Sequence, residues 1–284
     1  MKNKILDITV VVCTYNSEAM ISDCLESVRK NNPKEIILAD ANSTDKTREI
    51  AEPFADKILN DGGKGLGNAR NMGLDAAKGK YIAFVGPDNI MPEGSLESMI
   101  EYLNEYRCSI VSAITMLRDT DSYLGWAQNI YRAKYTPGYK DVVGTPTLFE
   151  TEVLKRYRYD PFMKNSDDTD LCTRMAMDGH KFAISDAVVF EMGFTSMDAV
   201  LERWTRYGRG DFLFYTKYSK EWNFGRKIRS YCHPFCTDFL SPIKSTGLFK
   251  TLPIIPFLIL ITSLRYYGWL KTRIIYKNKK RIEI

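Results

Sequence analysis

The sequence predicts an α/β protein with a mostly parallel sheet flanked by helices, followed by a hydrophobic helical segment at the C-terminus. Two observations lead to this fold class. Short, continuous apolar runs alternate with segments of helical periodicity from residue 8 to about residue 113, which is typical of buried parallel strands joined by crossover helices. The rhythm is lost beyond about residue 212, and a long uncharged run follows near residue 250.

The first strand is predicted at residues 8–13, where the apolar, β-branched run ITVVVC ends at the turn Thr14-Tyr15-Asn16-Ser17. Capping residues, glycines and helical spacing then mark the elements that follow. In chain order, the predicted elements are strand 8–13, helix 21–28, strand 35–39, a helix ending at residue 50, strand 57–59, helix 68–78, strand 81–85, helix 94–106 and strand 109–113. Less regular elements are predicted beyond them: helix 121–135, strand 142–149, helix 150–157, an acid-dense turn at 164–170 and helix 171–177.

Composition limits the function. The chain has 284 residues, 44% of them hydrophobic and 26% charged, which allows a hydrophobic core without disulfides or a structural metal. Forty Lys and Arg residues against 35 Asp and Glu residues give a net charge of +5, and the basic excess is concentrated from Lys271 onwards. We therefore expect no nucleic-acid partner. The six cysteines are scattered, and we interpret them as reduced thiols.

Polar residues follow three of the predicted strands. Thr14 to Asn16, Asp40 and Asp88 all come where a strand ends, and the carboxyl ends of parallel strands share one edge of a sheet, where ligands bind. Carboxylates gathered there repel one another unless a cation or a cationic ligand lies among them. Each acid alone could be a helix cap or a solvated turn residue. Together with a glycine-rich loop at 62–67 and Arg70, they favour a nucleotide-diphosphate site.

The C-terminal segment has two interpretations. Residues 251–264 are uncharged, and a low-charge window extends to residue 270, which is twenty residues or about 30 Å as a helix. A buried core helix is one interpretation. We favour membrane association, as an interfacial or barely spanning segment whose basic flank, from Lys271 to Arg281, contacts anionic headgroups.

Four ordered blocks of the sequence resemble one known family. VVVCTYNSEAMISDCLESV, ILADANSTDKT, KGLGNARNMGLDAAKGKYIAFVGPDN and NSDDTDLCTRM are similar to the blocks of inverting family-2 glycosyltransferases of the GT-A fold, over residues 8 to about 212. The resemblance implies a GT-A domain at 1–215, with a nucleotide-binding half at 1–115 and an acceptor half at 116–215, and a helical, membrane-associated tail at 216–284.

The resemblance also implies roles for particular residues. Thr14, Tyr15 and Asn16 would line the nucleobase pocket, Asp40 would hydrogen-bond the base, and Arg70 would contact the base or the diphosphate. Asp88 matches the second acid of the D-x-D motif and would coordinate Mg²⁺ or Mn²⁺. Asp168 matches the catalytic base. Each role is implied by the position of the residue within the four blocks that resemble the family.

The sequence departs from the family pattern at two positions. Gly86 replaces the first acid of the D-x-D motif, which weakens the expectation of metal dependence. Glu191 stands where the family often has a metal-binding His, and its carboxylate suits the same ions. Further on, Arg206 and Arg209 lie in a basic, aromatic stretch that resembles the element closing over the diphosphate. Their spacing from Arg203 also allows an ordinary solvated stripe.

From these features we predict an enzyme that transfers a sugar from a nucleotide-diphosphate sugar, with UDP favoured, to a lipid-linked or glycan acceptor at the cytoplasmic face of the cell membrane. A non-catalytic nucleotide-sugar-binding subunit is the first alternative, motivated by Gly86 and the missing His. A sugar nucleotidyltransferase is a second, weaker one, because its usual glycine-rich loop does not follow the first strand.

Overall fold

The structure, a computed structural model, describes residues 5–118, 120–193 and 195–282, apart from the side chains of 278–282. The predicted basic side chains of Lys279, Lys280 and Arg281 therefore lie outside what it describes. The chain forms two compact units. Within the described residues, the sheet unit comprises 5–118, 136–162 and 167–192, and the helical unit comprises 120–135, 163–166, 193 and 195–282.

The sheet unit alternates strands and helices, as the sequence predicted. Its strands are β1 (Leu6–Thr14), β2 (Pro33–Asp40), β3 (Lys57–Asn60), β4 (Tyr81–Val85), β5 (Asn89–Ile90), β6 (Ile110–Leu117), β7 (Gly138–Lys140), β8 (Thr147–Glu150) and β9 (Phe182–Glu191). Its helices are α1 (Ile21–Lys30), α2 (Thr47–Ala51), α3 (Leu66–Ala76), α4 (Ser95–Glu105), α6 (Thr151–Tyr157) and α7 (Asp167–Met177).

All of these strands belong to one mixed sheet. Its order is β3-β2-β1-β4-β8-β6-β9-β5, with β7 pairing on β9 as well. The pairs β1–β2, β1–β4, β2–β3 and β6–β9 are parallel. Strand β8 pairs antiparallel between β4 and β6, and β5 and β7 pair antiparallel with β9. The predicted α/β class is confirmed, and the parallel arrangement holds for the strands that carry the candidate site.

Helices cover both faces of the sheet, and this explains the continuous apolar strands. Val10 and Val12 of β1 pack into one hydrophobic cluster, while Val11 between them packs into the other. All three side chains are fully buried. Because successive strand residues point to opposite faces, a strand buried on both sides has no polar positions to alternate with.

The sequence did not predict β5 and β7. Strands of two and three residues are too short to produce a periodicity, and they form here only because β9 offers them an edge. Strand β6 extends to Leu117, four residues beyond its predicted end, because it continues along β9.

The helical unit contains the aromatic helix predicted before residue 135 and the C-terminal helices. Its helices are α5 (Tyr123–Arg132), α8 (Met197–Tyr218), α9 (Phe224–Pro234), α10 (Ser241–Thr246), α11 (Leu248–Thr251) and α12 (Ile255–Ile282), with a π-helical turn at Phe235–Leu240 and a 3₁₀ turn at Leu252–Ile254. The predicted domain boundary at residue 215 falls inside α8, and that division stays a prediction.

Helices α8 and α12 pack closely along each other. A Cβ on Gly208 would overlap the carbonyl oxygen of Arg265, and one on Gly268 would overlap that of Thr205, so glycine permits this close backbone approach on both helices. Aromatic contacts fill the adjoining core, with the Trp204 and Phe257 rings 5.7 Å apart. The segment Leu248–Lys277 is long and apolar enough to cross a membrane by length and composition, although 33% of its most apolar window is buried in the protein.

Candidate active site

The candidate site begins where β1 and β2 end. Thr14 and Asp40 are the last residues of these strands and pair in register, so the two lie side by side at the carboxyl edge of the sheet. Thr14 Oγ1 donates a hydrogen bond to Asp40 Oδ1 over 3.1 Å. Tyr15 follows with 63% of its surface exposed, which leaves its ring accessible to a planar ligand.

Asn16 connects this turn to the loop after β2. It adopts a left-handed conformation with φ of 45°, which asparagine tolerates better than most residues. Its backbone N–H donates to Ser43 Oγ over 2.9 Å, and its side-chain Oδ1 accepts from the Thr44 backbone N–H over 2.9 Å. These bonds hold the two loops together beside Tyr15.

Asp40 is the anchor of that second loop. Its side chain is fully buried, and it accepts hydrogen bonds from the Ser43 backbone N–H over 3.0 Å and from Ser43 Oγ over 2.5 Å, in addition to the bond from Thr14. A ligand would reach the Asp40 carboxylate only after the loop rearranges. Its contact with a nucleobase stays a prediction.

Arg70 holds the central ion cluster of the site. It lies on α3 and is 4% exposed. Its Nη1 donates to Asp167 Oδ2 over 2.5 Å and to Asp168 Oδ1 over 2.9 Å, and its Nη2 donates to Thr145 Oγ1 over 2.6 Å. The guanidinium carbon also lies 4.8 Å from the centre of the Tyr159 ring. In this structure Arg70 therefore binds carboxylates of its own chain, and its contact with a donor stays a prediction.

Asp168 is the predicted base, and its surroundings change its acidity. It lies in the first turn of α7 with 26% of its side chain accessible. Burial raises the pKa of Asp168 to about 6, Arg70 opposes that rise, and the neighbouring Asp167 carboxylate adds to it. A carboxylate with such a pKa is ionised at neutral pH and yet accepts a proton more readily than an ordinary aspartate, which is what general-base chemistry needs.

The two predicted metal ligands lie on neighbouring strand segments. Asp88 is in the turn after β4, and its carbonyl oxygen accepts a hydrogen bond from the Met192 backbone N–H over 2.7 Å. The next residue, Asn89, pairs in register with Glu191 at the end of β9. The structure thus brings the backbones of Asp88 and Glu191 together at this edge of the sheet.

The chemistry of these two residues fits a hard divalent cation. Carboxylate oxygens suit Mg²⁺ or Mn²⁺, and Mg²⁺ is usually held by one or two carboxylates together with phosphate oxygens. Among the residues that the structure describes, no three His, Cys, Asp or Glu side chains could hold a metal by themselves. Gly86 leaves room at this turn, because a Cβ there would overlap Asp88 Oδ1. The pair Asp88 and Glu191 could therefore hold an ion together with a bound diphosphate.

Arg206 and Arg209 lie on α8 in the helical unit. Arg209 is exposed, whereas Arg206 is partly buried, with Nη1 4.0 Å from the Glu202 carboxylate. Arg203 is 7% exposed. The three arginines therefore change from buried to exposed along the helix, and the predicted contact of Arg206 and Arg209 with a donor stays a prediction.

Thr145 and Asp61 were not singled out from the sequence, whereas Asp167 was recognised as part of the acid-dense turn at 164–170 but was given no role of its own. Asp167 and Thr145 complete the Arg70 cluster, and Asp61 follows β3 beside Asp40, whose carbonyl oxygen accepts the Asp61 backbone N–H over 3.0 Å. Asp61 is 2% exposed, and its Oδ2 has no hydrogen-bond partner in the described part of the chain. Its place two residues after the predicted strand at 57–59 was the available signal.

These features define a class: an α/β protein of the GT-A type, with acids at the carboxyl ends of its parallel strands and a carboxylate suited to proton transfer. Residues 9–176 match the model of Glycosyl transferase family 2, and the chain belongs to that family. The sequence resemblance is thereby confirmed.

The chain has low sequence identity to the individual proteins that it matches. The chain is 24% identical over 197 residues to the minor teichoic acid biosynthesis protein GgaB of Bacillus subtilis, which covers 63% of this chain and 22% of GgaB. It spans 29%, 22% and 37% of the lengths of the first three curated relatives that it matches.

Two solved structures share the fold. A mannosyltransferase from Pyrobaculum calidifontis, in complex with GDP-Man and Mn²⁺, has a TM-score of 0.68 at 17% identity, covering 95% of this chain and 87% of that one. TarS of Staphylococcus aureus, in complex with UDP-GlcNAc, has a TM-score of 0.52 at 16% identity, covering 96% and 92%.

Proposed function

We propose that this protein is an inverting glycosyltransferase that moves a sugar from a nucleotide-diphosphate sugar to a lipid-linked or glycan acceptor. The observation that carries the proposal is Asp168, a carboxylate bound by Arg70 whose pKa is raised to about 6. Sugar nucleotides are the ligands named for both structural neighbours. UDP is the favoured nucleotide, because TarS also occurs among the curated relatives, with 31% identity over 113 residues.

The proposed reaction is a direct displacement. The acceptor hydroxyl attacks the anomeric carbon, its proton passes to a carboxylate oxygen of Asp168, and the bond from that carbon to the phosphate oxygen breaks. The bonding electrons leave with the nucleoside diphosphate, and the anomeric configuration inverts. Arg70 acts as a positioning residue, since its Nη1 fixes one oxygen of Asp168 and keeps the partly buried carboxylate ionised before the proton arrives.

The donor would bind along the carboxyl edge of the sheet. Tyr15 offers an exposed ring for the base, and the turn from Thr14 to Asn16 offers backbone groups. The Asp61 carboxylate would accept a hydrogen bond from an N–H of the base, because a buried carboxylate oxygen without a partner is costly. Mg²⁺ or Mn²⁺, held by Asp88 and Glu191 when bound, would supply positive charge to the departing diphosphate.

The protein would act at a membrane. Residues 1–215 would be the catalytic part and 216–284 a membrane-associated tail, with the reaction at the cytoplasmic face of the cell membrane. An acceptor in the cell envelope is consistent with the similarity to GgaB and to a poly(ribitol-phosphate) N-acetylglucosaminyltransferase.

The test is release of nucleoside diphosphate from UDP-, GDP- and dTDP-sugars, with Mn²⁺, Mg²⁺ or EDTA, in detergent with a membrane-lipid extract. We expect one donor to react and Asp168→Asn to lower turnover at least about 100-fold, since a general base contributes at least that much. Donor affinity should stay close to that of the unchanged protein. The control is Asp186→Asn, which removes an exposed carboxylate of the sheet unit. NMR of the product gives its anomeric configuration.

Two results would contradict the proposal. Full turnover in Asp168→Asn would remove Asp168 as the base. Tight donor binding without turnover, over a broad panel of lipid and glycan acceptors, would instead support a non-catalytic sugar-nucleotide-binding protein.

A further inference from the structure

An exposed apolar stripe runs along one face of α12 and the turn before it. Leu252, Ile259, Tyr267, Leu270 and Ile274 are each more than half exposed, and they follow one another at intervals of three, four, seven or eight residues, with Pro256 and Ser263 also exposed between them. This spacing places them on one side of the helix. Phe249 on α11, at 92% exposed, stands just ahead of the stripe. A soluble surface rarely leaves so large an apolar face uncovered.

The opposite face of α12 is already occupied within the helical unit. Phe257, Leu258 and Ile261 are buried in its hydrophobic core, and Trp269 packs on Phe212 of α8 with ring centres 5.4 Å apart. The two faces differ, since one supplies the core of the unit whereas the side chains of the other are each more than half exposed in the described part of the chain. We therefore interpret the stripe as a binding surface for a partner that is not part of the described chain.

The ion pairs of Arg265 favour an α12 that lies on a membrane over one that crosses it. It lies near the middle of α12 and pairs with Asp211 of α8 over 2.5 Å and with Asp238 of the π-helical turn over 3.0 Å. Lys134 also lies 3.7 Å from Asp238, which is fully buried. If α12 crossed a bilayer, this ion cluster would have to enter the hydrocarbon core, where charged groups are strongly disfavoured. A helix lying in the interface immerses only the stripe.

The charges around the stripe match an anionic surface. Lys250 stands before it, Lys271, Arg273 and Lys277 stand at its far end, and all four are exposed. Residues 248–277 contain no Asp or Glu. Cations beside an inserted apolar face attract acidic headgroups, as in interfacial amphipathic helices.

A cleft of about 510 Å³ opens beside the start of the stripe. Trp126 and Ile130 of α5 form one wall, and Phe249 and Pro253 form the other, with Lys250 at the same opening. The lining is mostly apolar, and Trp126 is 40% exposed. Because Phe249 and Pro253 lie at the start of the stripe, any bilayer that covers the stripe also meets this cleft.

We propose that the helical unit docks on an anionic bilayer with α12 lying in the plane of the membrane, not across it. The stripe and Phe249 enter the acyl boundary, the flanking cations contact acidic headgroups, and an acyl chain of an anionic lipid fills the cleft next to Trp126. This deepens the membrane association in the proposed function, but it is independent of donor, acceptor and chemistry, so membrane binding can be tested apart from activity.

The first experiment is flotation of the full chain with vesicles of phosphatidylcholine containing 30 mol% phosphatidylglycerol, and with phosphatidylcholine alone. We expect binding to the anionic vesicles and at least a tenfold loss of affinity in the double variant Phe249→Glu, Leu252→Glu. The matched control is Phe162→Glu, which places the same charge on an 87% exposed phenylalanine of the sheet unit. Circular dichroism checks that all variants are folded. Equal binding by the double variant and the control would overturn the proposal.

The second experiment separates lying from crossing. Cys232 and Cys236 are exposed and are first replaced by Ser, and single cysteines are then placed at Lys250 and at Lys277. A membrane-impermeant maleimide is added to vesicles with the protein bound outside. An in-plane helix predicts labelling of both positions from the outside, whereas a spanning helix leaves one of them protected until detergent is added. Protection of one end would refute the in-plane arrangement.

The third experiment tests the cleft. Vesicles with bromine on the acyl chains of the anionic lipid quench nearby tryptophan fluorescence. We expect quenching in the unchanged protein and loss of most of it in Trp126→Phe, while the variant still floats with the vesicles. Equal quenching in both proteins would show that no chain lies beside Trp126.

Discussion

Asp167→Asn should move the pH profile of transfer to lower pH. Asp167 and Asp168 both accept hydrogen bonds from Nη1 of Arg70, at 2.5 and 2.9 Å, so their bonded oxygens lie at most about 5.4 Å apart. Two unit charges at about 5 Å interact by about 3 kcal/mol at an effective dielectric constant of about 20. That energy corresponds to about two pKa units, and it is an upper value because Arg70 lies between the two carboxylates.

The sign follows from the charge that is removed. The Asp167 carboxylate raises the pKa of Asp168, which stands at about 6, so removing it lowers that pKa. A base acts in its ionised form, and the acid limb of kcat/KM reports its pKa in the free enzyme. We therefore expect a limb near pH 6 in the unchanged protein and one that is lower by about one unit in Asp167→Asn.

The assay is nucleoside diphosphate release between pH 4.5 and 8.5 under kcat/KM conditions. The matched control is Thr145→Val, which removes the hydrogen bond to Arg70 Nη2 without changing any charge and should leave the limb in place. An unmoved limb in Asp167→Asn, with the protein folded, would show that Asp168 is not the group that titrates. A shift to higher pH would refute the electrostatic reasoning itself.

Three further substitutions test the acidity of Asp168, the metal site and the packing of the helical unit. Because the folded-state pKa of Asp168 lies above its ordinary value of 3.8, the stability that it contributes is fully present below pH 4 and is lost as the pH rises through 6. Asp168→Asn should therefore raise the free energy of unfolding at pH 8 by up to about 3 kcal/mol, measured as a higher melting temperature, and give no such gain at pH 4. Gly86→Ala should leave the melting temperature nearly unchanged but weaken activation by Mn²⁺, because the new Cβ displaces the Asp88 carboxylate, and unchanged metal titrations would remove Asp88 as a ligand. Gly208→Ala should destabilise the helical unit by about 1–3 kcal/mol through overlap with α12, whereas Gly225→Ala, with 3.6 Å of clearance to Asn223 Oδ1, should not, and equal melting curves would contradict that packing.

The strand ends were predictable because they depend on local chemistry. A β-branched run buried on both faces has to stop where a polar residue or a turn begins, and Thr14 and Asp40 stop their strands in this way. Their pairing in register at one edge follows from the parallel arrangement alone. The antiparallel insertion of β8 between β4 and β6 was not predictable, since it depends on pairing between strands that are far apart in the sequence.

The ion-pair partners of Arg70 could not be predicted from the sequence. The resemblance implies that Arg70 contacts the donor, which stays a prediction, and the structure adds that Arg70 pairs with carboxylates 97 and 98 residues further along the chain. The acid-dense run at 164–170 indicated that a carboxylate matters there. It could not indicate that Asp167 and Asp168 share one guanidinium while Asp170 pairs with Arg174 on its own helix, because this depends on where α7 packs.

The Arg70 cluster also accounts for how a partly buried carboxylate can serve as a base. Burial alone raises the pKa of a carboxyl group, and a carboxyl that is neutral at pH 7 accepts no proton. Arg70 offsets that effect at Asp168, and Asp167 in turn offsets part of the effect of Arg70, so the pKa of Asp168 settles at about 6. Removing Arg70 should therefore leave a carboxyl that is protonated near neutral pH, whereas removing Asp167 should leave one that is ionised but less basic. The two variants shift the acid limb in opposite directions, and this opposition is what a catalytic ion cluster predicts and a merely structural one does not.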